Sequence, residues 1–189
     1  VISISEAYEL EKVGQLSGSL ELIEEQNITS STAVVQFTNL ANTPYDVYFL
    51  TADNVTTDTD DTYLTLQFSN DNGSSYETSN YDYAHQTGTA SGTFAEARST
   101  TAGQLFISGN IGTASNEKAN CYVYFYNMLS SSEYSLITHQ GSDILSSATH
   151  RMNWGGGMYH TAETNNAFRL LMNSGNITTA NFKLYGVKE

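Results

Sequence analysis

Cysteine and proline are almost missing from this chain of 189 residues, which contains one of each, Cys121 and Pro44. A single cysteine excludes an intramolecular disulfide and a cysteine-rich metal site. Stability must therefore come from a packed core, and the chain is long enough for one domain that buries roughly 70% of the surface of the unfolded chain. We expect folding that needs neither a covalent crosslink nor a metal.

Positive charge is also scarce. Seven lysines and arginines stand against 20 aspartates and glutamates, which gives a formal net charge of −13. Nucleic-acid binders need a basic surface to displace the counterions of the phosphates, so we expect no DNA or RNA partner. Such acidity is typical of a solvated surface and is compatible with cations or basic partner surfaces.

Long hydrophobic runs are missing as well. No stretch approaches the ~18 apolar residues of a membrane-spanning helix. The sequence does not open with a charged segment, an apolar run and a cleavage site, as a secretory signal would. The sequence therefore predicts a soluble protein with no membrane contact.

Aromatic and small polar residues are abundant instead, with 13 tyrosines and eight phenylalanines among many serines, threonines and asparagines. Aromatic side chains fit a pleated, half-buried surface, and serine, asparagine and glycine supply turns. The polar, glycine-rich segment 70–103 predicts one or two loops around a short strand. Short alternating runs predict strands at residues 20–25, 32–40, 45–53, 62–69, 104–109, 121–129, 134–140, 145–154, 167–173 and 181–187.

Strands at this spacing predict an all-β fold. We expect a two-sheet antiparallel sandwich of jelly-roll type over residues 19–189. The last strand alternates cleanly, with Phe182 and Leu184 on one face and Lys183 and Tyr185 on the other. A strand with one buried face is a full member of a sheet, so the end of the chain is predicted to be anchored.

The first 18 residues differ from the rest and predict a short N-terminal arm or helix. Ser5 is placed to cap such a helix, which Gly14 would end. A helix of this length is not stable alone, so we expect it to dock on this domain or on a neighbouring subunit. The predicted contacts are the apolar residues Ile2, Ile4, Tyr8, Leu10, Val13 and Leu16.

The strand predicted at 121–129 is apolar on both faces. Cys121, Val123 and Phe125 share the face that we expect in the core. A row of tyrosines on the other face is either covered by a loop or helix or used as a contact surface, because tyrosine is amphipathic and loses little side-chain entropy on binding. Both alternatives stay open, and the second predicts a subunit interface at Tyr122, Tyr124 and Tyr126.

The segment SNDNGSSY, residues 69–76, resembles the Asp-box turn of sialidases, with Tyr76 in place of the usual tryptophan. Asp71 and Asn72 tolerate turn geometry, and Gly73 allows a positive φ. A sialidase would need a much larger propeller and an arginine cluster. The motif therefore predicts a hairpin turn and no sialidase activity.

Several aspartates crowd the segment 53–61 and raise the question of a calcium site, since carboxylates at such spacing can bind calcium. An EF-hand loop that starts at Asp53 would need glycine at position 58 and glutamate at position 64, where Asp58 and Leu64 stand. A solvated turn between two strands explains the aspartates better, and no metal site is predicted.

The segment HRMNWGGGMYH, residues 150–160, contains two histidines and the only tryptophan. Its three glycines allow a bulge, a sharp corner or a close backbone approach. Two histidines without a third ligand at a recognisable spacing do not define a zinc site. A lone tryptophan in a sandwich is more often a core residue, but an exposed one can stack on a sugar ring. The second alternative predicts glycan contacts at Trp154, His150 and His160.

Motifs that require catalytic or cofactor-binding residues are missing. The chain has no P-loop, Rossmann glycine pattern, G-x-S-x-G or H-E-x-x-H sequence. Serine, histidine and aspartate are present, but only geometry identifies a triad. We expect a protein that is not an enzyme and binds no cofactor.

The order of strand and turn segments resembles the jelly-roll virion proteins of tailed bacteriophages, notably those of marine and cyanobacterial phages. The closing segment is the most telling, with Phe168 and Arg169 on one strand, SGN at 174–176 and FKLYG at 182–186. The resemblance covers about residues 20–188 and rests on TAVVQFTNL, YDVYFLTADNV, YLTLQFSNDNGSSY, YDYA and AFRLLMNSGNITTANFKLYGVK. It implies a virion protein with no catalytic residues.

The resemblance implies two virion roles, because similar domains occur as head decoration (cement) proteins and as terminal domains of tail fibres. The chain lacks a coiled stalk, so a complete product of this length is predicted to decorate the head, whereas an excised piece would suit a fibre. The expected partners of a decoration subunit are the major capsid protein and further copies of itself in a homotrimer, assembled in the bacterial host cytoplasm. The alternative is a tail-fibre or receptor-binding domain that recognises a host-surface glycan.

Overall fold

The computed structural model describes residue 3, residue 5 and residues 19–188, almost all of them in strands and tight turns. The predicted arm residues Ile2, Ile4, Tyr8, Leu10, Val13 and Leu16 lie outside the described residues. A single 3-10 turn spans Leu40–Asn42 within this range. The strands are β1 Leu20–Ile28, β2 Val34–Phe37, β3 Val47–Thr57, β4 Thr62–Ser69, β5 Tyr81–Thr89, β6 Phe94–Ala102, β7 Leu105–Ile111, β8 Ala119–Tyr126, β9 Tyr134–Ile144, β10 His150–Ala162, β11 Ala167–Met172 and β12 Ile177–Val187.

The strands form two antiparallel sheets of unequal width. The larger sheet has eight strands in the order β1-β12-β3-β8-β9-β10-β5-β6, and the smaller has four in the order β2-β11-β4-β7. Their inner faces pack together, so the predicted all-β sandwich is confirmed. Without β5, β6, β9 and β10, the chain alternates between the two sheets from β1 to β12 except at the step from β4 to β7, which both lie in the smaller sheet. This alternation is compatible with jelly-roll connectivity, which stays a prediction.

Aromatic rings fill the centre of the sandwich. Phe168 of β11 stacks on Phe37 of β2 with ring centroids 5.0 Å apart, and on Phe125 of the opposite sheet at 4.6 Å. Phe68 and Tyr81 add a further contact between the sheets at 6.0 Å. Offset or tilted rings at such separations contribute beyond their area of burial. The inward-facing side chains of β8 are buried in the core as predicted, namely those of Cys121, Val123 and Phe125.

The final strand is woven into the larger sheet, as its alternation predicted. β12 pairs with β1 on one side and with β3 on the other. Phe182 and Leu184 are fully buried, whereas Lys183 and Tyr185 face outward. Both edges of β12 are hydrogen-bonded, so the end of the described chain is part of the fold.

The prediction for residues 70–103 was wrong. This segment contains β5 and β6, two strands of 9 residues each that form a hairpin at one end of the larger sheet. The turn uses Gly92 at φ +92°. Most side chains of β6 are exposed, so burial imposes no apolar alternation on this edge strand and its sequence gives no strand signal.

The strand predicted near 145–154 begins later and is longer, as β10 has 13 residues. The three glycines lie inside it, and pairing with β5 and β9 continues across them, so the predicted corner is absent. The predicted close backbone approach is present. A Cβ on Gly156 would lie 2.6 Å from the carbonyl oxygen of Ile137, and one on Gly157 would lie 2.6 Å from that of Asp82.

Candidate functional site

The predicted tyrosine row lies on the outer face of the larger sheet. Successive side chains of a strand point to opposite faces of the sheet. Since the odd-numbered residues of β8 are buried in the core, Tyr122, Tyr124 and Tyr126 point outward. Tyr122 is 38% exposed, and the other two are half-buried by their neighbours in the sheet. Its use as a contact surface stays a prediction.

Neighbouring strands widen the row into a patch. The register places Phe49 of β3 opposite Tyr124, and Tyr185 of β12 opposite Phe49. The ring centroids of Phe49 and Tyr124 are 4.7 Å apart, and those of Phe49 and Tyr185 are 6.1 Å apart. We call this set the aromatic patch: Phe49, Tyr122, Tyr124, Tyr126 and Tyr185.

Aliphatic side chains continue the patch on both sides. Leu22 of β1 pairs with Tyr185 and is 52% exposed, and Leu20 at the start of β1 is 44% exposed. Leu136 of β9 pairs with Tyr126 and is 38% exposed. Large apolar side chains that cluster on one exposed face, rather than scattering singly, mark an interaction surface.

The sequence alone did not single out Phe49 or Tyr185. Each has the parity opposite to the buried residues of its own strand, so its outward direction was readable from the alternation. Phe49 and Tyr185 lie beside the tyrosines because β12, β3 and β8 are neighbours in the sheet. That order joins segments more than 60 residues apart in sequence, which local patterns do not encode.

Trp154 is 39% exposed on the outer face of β10, so its interpretation as a core residue was wrong. His150 and His160 share this face. At about 3.3 Å per residue along a strand, they lie roughly 13 Å and 20 Å from Trp154, too far apart to hold one sugar ring together. Each is engaged locally: His150 Nε2 lies 3.0 Å from the Ser142 hydroxyl, and His160 Nδ1 lies 3.3 Å from Asp82 Oδ2.

Trp154 nevertheless belongs to the same surface as the tyrosines. Gln140 of β9 is paired with Tyr122 on one side and with Trp154 on the other. The Tyr122 hydroxyl donates a hydrogen bond of 2.8 Å to Gln140 Oε1. The candidate interface and the candidate glycan contact are thus neighbours on one sheet face, separated by one polar side chain.

The carboxylates in the acidic turns accept hydrogen bonds from other residues of the protein. Asp71 Oδ1 accepts from the Ser75 amide at 2.9 Å and Asp71 Oδ2 from the Ser75 hydroxyl at 2.6 Å, and these bonds lower the pKa of Asp71 to about 2. Gly73 has φ +86°, so the predicted turn is present, but it connects β4 of the smaller sheet to β5 of the larger sheet, and the prediction of a hairpin was wrong. Asp58 Oδ1 accepts from the Asn176 amide at 2.7 Å, which lowers its pKa. Among the described residues, no three or more histidine, cysteine or acidic side chains are grouped to hold a metal ion.

A buried ionic network lies under β7, β9 and β10, and the sequence did not predict it. Arg151 Nη2 lies 2.9 Å from Asp143 Oδ2, and Asn153 Nδ2 donates to the same oxygen at 2.6 Å. The Ser108 hydroxyl donates to Asp143 Oδ1, and Arg151 also donates to the carbonyl of Gly109. Burial raises the pKa of Asp143, while the Ser108 hydrogen bond and the charge of Arg151 act against that rise. Ser108 and Asp143 have no exposed surface, so this network orders the interior and offers no nucleophile to solvent.

Two histidines lie on the inner face of the larger sheet. The His85 ring stacks on Phe106 at 4.0 Å, and the His139 ring lies 6.3 Å from that of His85. Burial lowers the pKa of both, and that of His139 to about 4. Both are therefore neutral near pH 7. Burial likewise raises the pKa of the Cys121 thiol, which stays protonated and unreactive.

Comparison with known proteins adds no relative. No protein-family model, curated protein or solved structure matches the chain. In the part of the chain that the structure describes, no helix has the length and apolar character required to cross a bilayer.

Proposed function

We propose that this chain is a structural subunit of a phage virion, a decoration protein that binds the major capsid protein and stabilises the head. The aromatic patch is the observation that carries the proposal. It presents five rings and flanking leucines on the outer face of the larger sheet. Aromatic residues are enriched and charged residues depleted at the core of protein interfaces. The resemblance to jelly-roll virion proteins supports the same role.

Copies of the chain contact one another through the aromatic patch in this proposal, and three copies form the assembly unit. A stable interface buries ~1,600 Å² in total, and the face of an eight-stranded sheet with aliphatic margins suits contacts of that size. Leu20 starts β1 at the margin of the patch, so the predicted arm at residues 1–18 joins the domain beside this surface. Residues 1–18 are proposed to contact the capsid protein or a neighbouring copy.

The first test is the mass of the protein in solution. Light scattering after gel filtration is expected to give three times the chain mass for the wild type. Tyr124→Lys should shift the mass toward one chain, because burying an unpaired ammonium group costs a few kcal/mol and raises the dissociation constant by a factor of about 30 or more.

Gln86→Lys is the matched control for this experiment. It adds the same charge on the same sheet face, at an exposed position of β5 that lies away from the patch. It should leave the mass unchanged. A wild type that stays a single chain at high concentration, or equal effects of the two lysines, would show that the patch is not the contact between copies.

The virion role is tested with purified particles. Quantitative mass spectrometry is expected to find many copies per particle, as head decoration requires, whereas a tail part would be present in few. Deletion of residues 1–18 should prevent attachment to the head without unfolding the domain. Continued attachment of the deletion variant would contradict the role proposed for the arm.

The exposure of Trp154 favours a second candidate function, glycan recognition at a fibre tip. The isolated protein would then bind host-surface polysaccharide, and Trp154→Ala would abolish the binding because the indole face stacks on the sugar. Binding that survives this substitution would remove Trp154 from the glycan site.

A further inference from the structure

A cleft opens on the inner side of the larger sheet because the two sheets differ in width. The hairpin of β5 and β6 extends past β7, the edge strand of the smaller sheet. Between them lies a cleft of about 460 Å³. Most of its wall side chains come from β4, β5, β6, β7 and β10, so strands position them, whereas Gln104 and Asn173 lie in the turns that follow β6 and β11. The volume is in the range of small-molecule sites, roughly 300–1,000 Å³.

One wall of the cleft is a row of rings. Tyr83 stacks on His85 at 5.5 Å, His85 on Phe106 at 4.0 Å, and Phe106 contacts Tyr63 at 5.5 Å. The Tyr63 ring packs directly against the backbone of Gly109, so closely that a Cβ atom at position 109 would overlap the ring. Its hydroxyl accepts a hydrogen bond of 3.2 Å from Asn110 Nδ2. The ring wall is therefore ordered before any ligand arrives, which lowers the entropic cost of binding.

The rest of the lining is polar, and its charges are compensated. Arg151 is 5% exposed and pairs with the fully buried Asp143. At the rim, Glu96 pairs with Arg98 at 2.6 Å. Gln104 contributes a neutral amide, and Asn173 offers its Nδ2 group, since its Oδ1 already accepts hydrogen bonds from Thr62 Oγ1 and Tyr63 N. The cleft thus combines ring surfaces and hydrogen-bonding groups without an unpaired charge.

This combination selects a ligand class. A sugar has an apolar C–H face that packs on rings and hydroxyl groups that both donate and accept hydrogen bonds to amides. An apolar ligand would leave the amides without partners, at a cost for each buried polar group. An anionic ligand would meet paired charges inside the cleft and a chain with a net charge of −13 outside it.

We propose that the cleft between the β5–β6 hairpin and β7 binds a sugar unit of a neutral glycan. The site is separate from the glycan contact predicted at Trp154, because Trp154 faces the opposite side of the larger sheet. The proposal does not depend on the assembly role, since the aromatic patch also lies on that opposite side.

Amide chemical-shift mapping on the full 15N-labelled chain tests the site. The probes are four neutral sugars, the methyl glycosides of glucose, galactose, mannose and N-acetylglucosamine, each titrated into the millimolar range. At least one is expected to shift amides of β5 and β7 around His85 and Phe106. Methyl glucuronide is the anionic comparison and should bind more weakly.

Tyr63→Leu removes the ring while keeping an apolar side chain, and should weaken binding about tenfold or more, the loss expected for one stacked ring. Gln104→Ala removes a rim amide and tests the site should Tyr63→Leu fail to fold. Tyr134→Leu is the matched control, the same substitution at a tyrosine that is 41% exposed and lies outside the cleft, and it should leave the affinity unchanged. The proposal is overturned if no neutral sugar shifts amides of the cleft, if shifts occur only around Trp154, or if the glucuronide binds as tightly as the neutral sugars.

Discussion

His139 lies inside the sandwich, where its ring faces His85 and Phe106. Burial holds its pKa at about 4 in the folded chain, against 6.5 for the exposed side chain. Below pH 6.5 the unfolded chain binds a proton that the folded chain does not bind, so acid favours unfolding. The loss begins near pH 6.5 and levels off below pH 4.

A fall in pH from 7 to 4.5 should lower the free energy of unfolding by about 2.5 kcal/mol through His139 alone. Urea titrations of wild type and His139→Gln at both values measure it, and the variant should show the shallower dependence on pH. The window ends above the range in which Asp71, with its pKa of about 2, gains its proton. His160→Gln is the control at an exposed histidine. Equal pH dependence of wild type and His139→Gln would contradict the account.

Single residues also show where sequence reasoning ends. The inward direction of Phe182 and the turn at Gly73 follow from local alternation and turn chemistry, and both were predicted. Trp154 was assigned to the core by its residue type, yet the register of β10 turns it outward. Asp143 and Arg151 gave no local signal, because their pairing depends on the alignment of β9 and β10.

At the scale of strands, removal of β12 has the largest expected effect on the stability of the fold. It contributes the buried Phe182 and Leu184 and is the hydrogen-bonding partner of both β1 and β3. Loss of each such side chain costs about 2–5 kcal/mol, and the stability of a domain is about 5–15 kcal/mol. Deletion of residues 180–189 should therefore abolish cooperative unfolding, as measured by circular dichroism on heating.

Lys183→Ala is the matched control on the same strand, since Lys183 is only partly buried and forms a long ion pair of 3.7 Å with Glu25. It should change the stability by less than about 1 kcal/mol. An unchanged melting temperature after the deletion would mean that β12 is not a full member of the sheet.

The strands that were predicted and the strand pair that was missed differ in burial. β4 and β8 bury one face or more, and their apolar residues mark them in the sequence. β6 lies at the sheet edge with mostly exposed, small and polar side chains, so hydrogen bonding to β5 rather than core packing defines it. The β5–β6 hairpin also forms the cleft, and the sequence therefore gave no prediction of that site.

At the scale of the whole molecule, an all-β sandwich could be predicted from composition and strand spacing, but the unequal sheets could not. Their widths depend on pairings such as β1 with β12, which join the two ends of the described chain. The outward parity of the tyrosines was predictable from the sequence. The aromatic patch became visible only when the sheet order placed Phe49 and Tyr185 beside them.

The net charge of −13 should make the proposed association of copies depend on salt. Like-charged subunits repel one another, and salt screens that repulsion, since the Debye length falls from about 30 Å at 0.01 M to about 8 Å at 0.15 M ionic strength. An apolar contact is not weakened by this screening. Sedimentation at these two ionic strengths should show tighter association at the higher one, and the opposite order would indicate a contact held by ion pairs.

The pairing of Leu20 with Val187 places both ends of the domain at one corner of the larger sheet. The Cα atoms of directly opposed residues in antiparallel strands are about 5 Å apart. Any polypeptide that enters before β1 and any that leaves after β12 therefore meet at the same point. Such a domain can be inserted into a surface loop of another protein, as a side branch, without forcing the flanking segments of its host apart.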